Sequence, residues 1–125
     1  MALVLDAGAL IAVDRRDRNL GAILRVAQRD AIPVRTSVAV VAQVWRDGSR
    51  QANLARVLAG VDATPIDMST AHHVGEVLAR SKTADVVDGH LGLIVCPNDT
   101  VLTSDPVDIR RILRARSVAA MVQTI

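Results

Sequence analysis

Four aspartates in the C-terminal third of the chain have the residue type and the spacing of a metal site. They form two i, i+3 pairs, Asp85/Asp88 and Asp105/Asp108, and Asp6 adds a carboxylate at the end of the first apolar run. Carboxylates that converge repel one another and raise one another's pKa unless a cation lies between them. Mg²⁺ or Mn²⁺ would relieve that repulsion, because hard cations prefer oxygen ligands. Such a site can activate water and stabilise charge at a phosphoryl centre.

Ordinary helix starts offer a different explanation for most of these acids. Asp105 precedes Pro106, and an aspartate N-cap followed by a first-turn proline is common. Asp108 would then be a first-turn acid that the helix dipole favours, and Asp6 could cap the next helix in the same way. For Asp85, predicted in the first turn of its helix, this explanation is preferred.

Asp88 is harder to explain without a ligand. We predict that it lies one turn into its helix, where aspartate has poor propensity. Its neighbours on the apolar side are Val87, Leu91 and Ile94. A carboxylate beside a core stripe needs hydrogen-bond partners or a metal ion.

Short apolar runs that alternate with helical patterns predict the elements that carry these acids. The predicted strands are Ala2–Leu5, Val34–Thr36, Ala63–Ile66, Thr100–Thr103 and Ser117–Val122. The predicted helices include Ala9–Val13, Leu20–Arg29, Val38–Trp45 (capped by Ser37), Arg50–Leu58 and Thr70–Arg80 (capped by Ser69). This alternation indicates an α/β domain whose parallel sheet has helices on both faces. Ligands bind such sheets beyond the carboxyl ends of the strands, which is where Asp6 and Asp105 would lie.

The composition limits the class of protein. A chain of 125 residues predicts one domain, 1–125, and fourteen Arg against one Lys permit a nucleic-acid partner without demonstrating one. The single cysteine, Cys96, excludes an internal disulfide, and we expect a reducing, cytoplasmic setting. No run approaches the ~18 apolar residues of a membrane span, so we expect no membrane partner. No phosphate-binding glycine motif or zinc-ligand spacing occurs.

Three segments, taken in order, resemble the acidic motifs of PIN domains, and most closely VapC-type toxins of bacterial toxin–antitoxin pairs. They are Leu3-Val4-Leu5-Asp6-Ala7, Asp85-Val86-Val87-Asp88-Gly89-His90-Leu91 and Leu102-Thr103-Ser104-Asp105-Pro106. The resemblance covers essentially the whole chain. It implies a three-layer α/β/α sandwich with sheet order 3-2-1-4-5. It also implies Mg²⁺- or Mn²⁺-dependent endoribonuclease activity on tRNA or rRNA, a homodimer, and a VapB-like antitoxin that inserts into the active-site groove.

The resemblance also assigns roles to individual residues. Asp6, Asp88 and Asp105 match the three main acids, Asp85 is a possible substitute for Asp88, Asp108 matches an accessory acid and Thr103 a supporting hydroxyl. The family usually has a glutamate where this chain has Gln43, whose carbonyl oxygen can ligate weakly but carries no charge. This departure leaves an alternative open, in which the chain is a weakened RNA-binding or antitoxin-binding module.

Three further expectations concern residues outside the motifs. Arg15, Arg16, Arg46 and Arg50 are candidates for steering RNA, although arginines are more often solvated surface charges. His90 is expected to be a surface or helix-packing histidine rather than a ligand. A phosphoacceptor domain is set aside on two grounds: Gly8 stands where a haloacid-dehalogenase-like phosphatase needs its second acid, and the one lysine, Lys82, is not near the last strand, where a response-regulator receiver needs it.

Overall fold

Five parallel strands form one sheet in the computed structural model, which describes residues 1–125. The strands are β1 (Leu3–Leu5), β2 (Val34–Ser37), β3 (Asp62–Thr64), β4 (Thr100–Thr103) and β5 (Met121–Thr124). Their order is β3-β2-β1-β4-β5, and every neighbouring pair is parallel. The predicted fold class and strand order are therefore confirmed.

Seven helices connect the strands and cover the sheet. They are α1 (Ala7–Asp14), α2 (Arg18–Arg29), α3 (Val38–Val44), α4 (Ala52–Leu58), α5 (Met68–Ser81), α6 (Val86–Ile94) and α7 (Pro106–Arg116), with a short 3-10 helix at Gly48–Arg50. Helix α1 contacts α2, α3 and α4, whereas α5, α6 and α7 contact one another. No helix has the length and hydrophobicity needed to cross a membrane.

The core is aliphatic and lies on both sides of the two central strands. Val4 and Leu5 of β1 and Val101 and Leu102 of β4 are completely buried, because helices cover both faces of the sheet. Trp45, the one aromatic residue, stays 37% exposed at the end of α3. Continuous apolar runs thus predicted the central strands well.

The peripheral elements differ from their predicted bounds. Strand β5 begins at Met121 rather than Ser117, because Ser117 takes a left-handed conformation (φ 55°) that ends α7. Strand β3 ends at Thr64, just before Pro65, whose ring nitrogen cannot donate to a sheet. The N-cap of α5 is Asp67, which accepts a hydrogen bond from the Thr70 amide at 2.8 Å, so the prediction of Ser69 was wrong.

Candidate functional site

Asp6 is a rigidly held carboxylate between the two central strands. The register pairs Leu5 with Leu102, so Asp6 and Thr103 lie side by side at the carboxyl edge of the sheet. One oxygen, Oδ1, caps α1 by accepting from the Ala9 amide at 2.8 Å. The other, Oδ2, accepts from the Thr103 hydroxyl and from the Ser104 amide, the latter at 3.2 Å. The capping prediction for Asp6 is correct, but it accounts for only one of its two oxygens.

The Thr103 hydroxyl connects the first acid with the last. It donates to Asp6 and accepts from the Asp105 amide at 2.9 Å. Thr103 is completely buried at the end of β4, so this pair of bonds fixes where the chain turns out of the sheet. The hydroxyl contacts the backbone of Asp105 and leaves its carboxylate free.

Asp105 occupies the N-cap position of α7 but does not act as a cap. Its side chain accepts no hydrogen bond from the first turn of the helix, and Pro106 follows at the first helical position. The carboxylate is exposed and makes no hydrogen bond within the chain. The alternative explanation of Asp105 as a side-chain cap is therefore wrong, since only its amide, which donates to Thr103, is engaged.

Asp88 lies at the centre of the acidic groups. It is the third residue of α6, so the prediction that it lies a full turn into the helix was wrong, and its amide donates to the N-cap Asp85 at 2.9 Å. Burial first, and then the neighbouring negative charges, together raise the pKa of Asp88 from its ordinary value of 3.8 to about 6. Those neighbours, in decreasing order, are Asp85, Asp108, Asp6 and Asp105. All five aspartates therefore act on one region at the carboxyl edge of the sheet.

The donor set suits a hard divalent cation, although the side chains are not arranged as a finished coordination sphere. No group of three or more His, Cys, Asp or Glu side chains lies close enough to form a ready-made cluster. Carboxylate oxygens are gathered at the site, and the pKa of Asp88 is raised first by burial and then by repulsion from the other acids, which a cation would relieve. Oxygen donors of this kind fit Mg²⁺ or Mn²⁺, which can retain several water ligands, better than zinc.

Comparison with solved structures gives a likeness that covers the whole chain. No family model and no curated protein matches the chain. Among solved structures, VapBC2 from Rickettsia felis, crystallised with a DNA fragment from its promoter, matches with a TM-score of 0.71. The match covers 100% of this chain and 99% of that chain at 13% sequence identity. This chain has the VapC-type PIN fold. The family resemblance of its three acidic segments is thus confirmed at the level of the fold.

Neither Gln43 nor the candidate arginines Arg15, Arg16 and Arg46 form a side-chain hydrogen bond or an ion pair with the acids of the site. Gln43 is exposed on α3 and makes no hydrogen bond. Arg15 and Arg16 follow the end of α1, about 12 Å along the helix axis from its start at Asp6. The Arg46 guanidinium donates to the carbonyls of Ala42 and Trp45, at the end of α3. None of these arginines contacts an acid of the site.

His90 is a residue whose setting the sequence did not reveal. It is completely buried, with Nδ1 2.5 Å from the Ser37 hydroxyl. Burial lowers the pKa of His90, and the Pro65 carbonyl opposes that effect without forming a regular hydrogen bond to Nε2. The helix-packing interpretation is confirmed and the surface alternative was wrong.

A cleft on another side of the fold is separate from the acids. It has a volume of about 780 Å³ and lies against the amino ends of β2 and β3. Its charged lining is mostly basic and comprises Arg16, Arg18, Arg25, Arg56 and Asp17. Since none of the five converging aspartates lines it, the candidate site is the open carboxyl edge of the sheet and not this cleft.

Substituting Gly8 with alanine is expected to destabilise the fold, whereas the same change at Gly75 should stabilise it. A Cβ at Gly8 would lie 2.1 Å from Oγ and 2.6 Å from Cβ of Ser104, whose amide binds Asp6. Overpacking of this kind costs about 1–3 kcal/mol. A Cβ at Gly75 meets nothing within 4 Å, so there the helix should gain about 0.5–1 kcal/mol. Urea unfolding measures the stability of both variants. A Gly8→Ala protein as stable as wild type would contradict the close approach of Ser104 to Gly8.

Proposed function

We propose that this chain is a divalent-metal-dependent endoribonuclease toxin of a toxin–antitoxin pair. The observation that carries the proposal is the pKa of about 6 at Asp88, which burial and four other aspartates raise at the carboxyl edge of a VapC-type PIN fold. A protein gains nothing in stability from gathering like charges, so their convergence favours a role in binding a cation. RNA phosphodiesters are the substrate class, and the family resemblance suggests tRNA or rRNA.

The five aspartates have different roles at the proposed metal site. A bound Mg²⁺ or Mn²⁺ would polarise a phosphoryl oxygen and supply an activated water. Asp6 is pre-oriented by its hydrogen bonds from Ala9, Thr103 and Ser104, so it needs little reorganisation to bind a cation. Asp105 offers a free carboxylate, and Asp88 becomes fully ionised when a cation offsets the surrounding charge. In this arrangement Asp85 and Asp108 act as outer acids.

A cleavage assay with a matched pair of variants tests the proposed activity. Wild type is expected to cut RNA in Mg²⁺ or Mn²⁺ and to lose activity in EDTA. Asp105→Asn should reduce the rate more than about 100-fold, because even changes beyond the direct ligands of a metal cost 10–100-fold. The control is Asp47→Asn, which alters an exposed aspartate at the start of the 3-10 helix. Metal-independent cleavage, or equal rates for the two variants, would refute the proposal.

The proposed partners follow from the fold and its neighbour. The Rickettsia felis structure is named as a VapBC protein bound to promoter DNA. We infer that this chain also binds a VapB-like antitoxin, which inserts toward the acidic edge, and that it forms a homodimer. A short reading frame next to its gene, encoding a protein with a DNA-binding N-terminus, would support the antitoxin partner.

A second candidate function is a PIN-fold module that binds RNA or an antitoxin without cutting. Gln43 favours it, because this exposed amide adds no negative charge and no hydrogen bond to the site. Titration with Mn²⁺ discriminates between the candidates. The endoribonuclease proposal predicts that wild type binds Mn²⁺ and that Gln43→Glu binds it more tightly, whereas Gln28→Glu, in the remote cleft, does not change the affinity. Absence of binding in wild type together with binding in Gln43→Glu would establish the weakened module.

A further inference from the structure

The buried contact between His90 and Ser37 joins the helix that carries Asp88 to the sheet. His90 follows Asp88 by two residues on α6 and is completely buried. Its Nδ1 lies 2.5 Å from Oγ of Ser37, the last residue of β2. The same Oγ accepts from the Ala39 amide at 3.0 Å and so caps α3. One serine hydroxyl therefore connects a strand end, the start of α3 and α6.

Ser37 supplies the one regular hydrogen bond of the buried imidazole. Ser37 Oγ has a single proton, and because Oγ accepts from the Ala39 amide, that proton is available to His90 Nδ1. The imidazole then carries its own proton on Nε2, which faces the Pro65 carbonyl without forming a regular hydrogen bond. The position of the ring, and with it that of α6, therefore depends mainly on Ser37.

Leu91 of α6 is completely buried in the core, but two positions that face neighbouring helices are glycines. Gly89 faces α5, with Leu78 2.9 Å from where a Cβ would be, and Gly92 faces α7, with Ile112 at 2.4 Å. Glycines allow close helix packing but have no side chain to resist sliding or rotation of the helix. The contact from His90 to Ser37 is the only side-chain hydrogen bond that joins α6 to a strand.

We propose that His90 is a positioning residue, whose hydrogen bond to Ser37 holds α6 on the sheet so that Asp88 faces Asp6 and Asp105. The inference rests on the proposed metal site. A small slide or rotation of α6 would carry Asp88 away from Asp6, which is fixed on the sheet by three hydrogen bonds. His90 acts through the helix and touches neither metal nor RNA.

Two substitutions of His90 separate positioning from simple packing. His90→Leu keeps an apolar side chain of similar size in the core but leaves the buried Ser37 hydroxyl without its contact, so a loss of stability is expected. His90→Asn places an amide near the position of Nδ1 and can retain that contact. Mn²⁺ affinity, measured by electron paramagnetic resonance, is expected to fall about 10-fold or more in His90→Leu, as for other residues that orient ligands. In His90→Asn it should stay nearer to wild type.

A control variant and a metal-free measurement complete the test. Leu54→Ala, at the buried core residue of α4, should lower the melting temperature and leave Mn²⁺ affinity unchanged. Amide hydrogen exchange of His90→Leu should become faster in α6 than in the other helices of the same variant. Wild-type Mn²⁺ affinity in His90→Leu, or an equal loss in Leu54→Ala, overturns the inference.

Failure of the proposed function would look different from failure of this inference. If wild type itself binds no Mn²⁺, the metal site is refuted. Amide hydrogen exchange in α6 of His90→Leu, compared with wild type, then tests whether His90 holds the helix in place. Unchanged exchange overturns its positioning role. If His90→Leu does not fold, Ser37→Ala removes the same contact from the other side and should show the same loss of affinity.

Discussion

Asp88→Asn is expected to abolish metal-dependent cleavage and, in the absence of metal, to stabilise the protein above pH 6. Loss of activity follows from the loss of a charged ligand at the proposed site. The gain in stability follows from the raised pKa of Asp88, which burial and then Asp85, Asp108, Asp6 and Asp105 produce. A residue that improves the fold when it is removed and is needed for activity is retained for function.

The pH dependence of this effect has a definite sign. The pKa of Asp88 is about 6 in the folded protein against an ordinary 3.8, so the protonated carboxyl favours the folded state. That stabilisation is complete below pH 3.8 and is lost as the pH rises through 6. The difference of about 2 pH units corresponds to about 3 kcal/mol. Because Asp88 is only half-buried, solvent screening reduces the expected gain of Asp88→Asn to about 1–2 kcal/mol.

Urea unfolding in EDTA at several pH values measures the stability part of this prediction. The advantage of Asp88→Asn over wild type should be largest at pH 7–8 and should disappear near pH 4. Asp67 provides a contrast, because hydrogen bonds from Thr70 lower its pKa and its stabilisation is therefore lost as the pH falls. An Asp88→Asn protein that is less stable than wild type at pH 7.5 would show that the acids do not repel one another as described.

The elements at the centre of the sheet could be predicted because their residues are buried on both faces. The apolar runs of β1 and β4 can be recognised as strands from the local sequence alone, and β4 has the predicted bounds, Thr100–Thr103. The edge strands β3 and β5 are half-exposed, and the conformation of Ser117 and the position of Pro65, not hydrophobicity, set their limits.

The acids of the site could be found from sequence, but the contacts that hold them could not. Asp6 and Asp105 follow strands that are neighbours in the sheet, so the general rule for parallel sheets placed them together. The contact between His90 and Ser37 joins residues 53 apart in the chain, and nothing in either local sequence indicates the partner. Asp88 was recognised from its apolar surroundings, although its position in the first turn of α6 depends on the cap that Asp85 provides.

A partly buried ion pair at the amino-terminal edge of the sheet was missed for the same reason. Asp99 is 1% exposed and precedes β4, while Arg35 lies on β2, 64 residues earlier in the chain. The carboxylate accepts from the Arg35 guanidinium at 2.5 Å and from the Ala2 and Cys96 amides at 2.8 Å each. The Asp99 carboxylate thus connects β2, through Arg35, with the chain segments at Ala2 and Cys96.

Arg35→Ala is expected to lower the free energy of unfolding by about 3 kcal/mol, because it leaves the Asp99 carboxylate buried without its counter-ion. The two remaining amide donors keep the loss toward the lower end of the usual range for broken buried pairs. Arg29→Ala is the matched control, since it breaks the Arg29–Asp30 pair at 2.9 Å, whose side chains are 72% and 46% exposed. Exposed pairs contribute about 0–1 kcal/mol. Urea unfolding of both variants should therefore differ by about 2 kcal/mol or more, and equal losses would mean that Arg35 does not neutralise Asp99. The Arg35–Asp99 pair lies at the amino-terminal edge of the sheet, opposite the five aspartates of the proposed metal site. The Mn²⁺ affinity of the folded Arg35→Ala protein should therefore remain that of wild type.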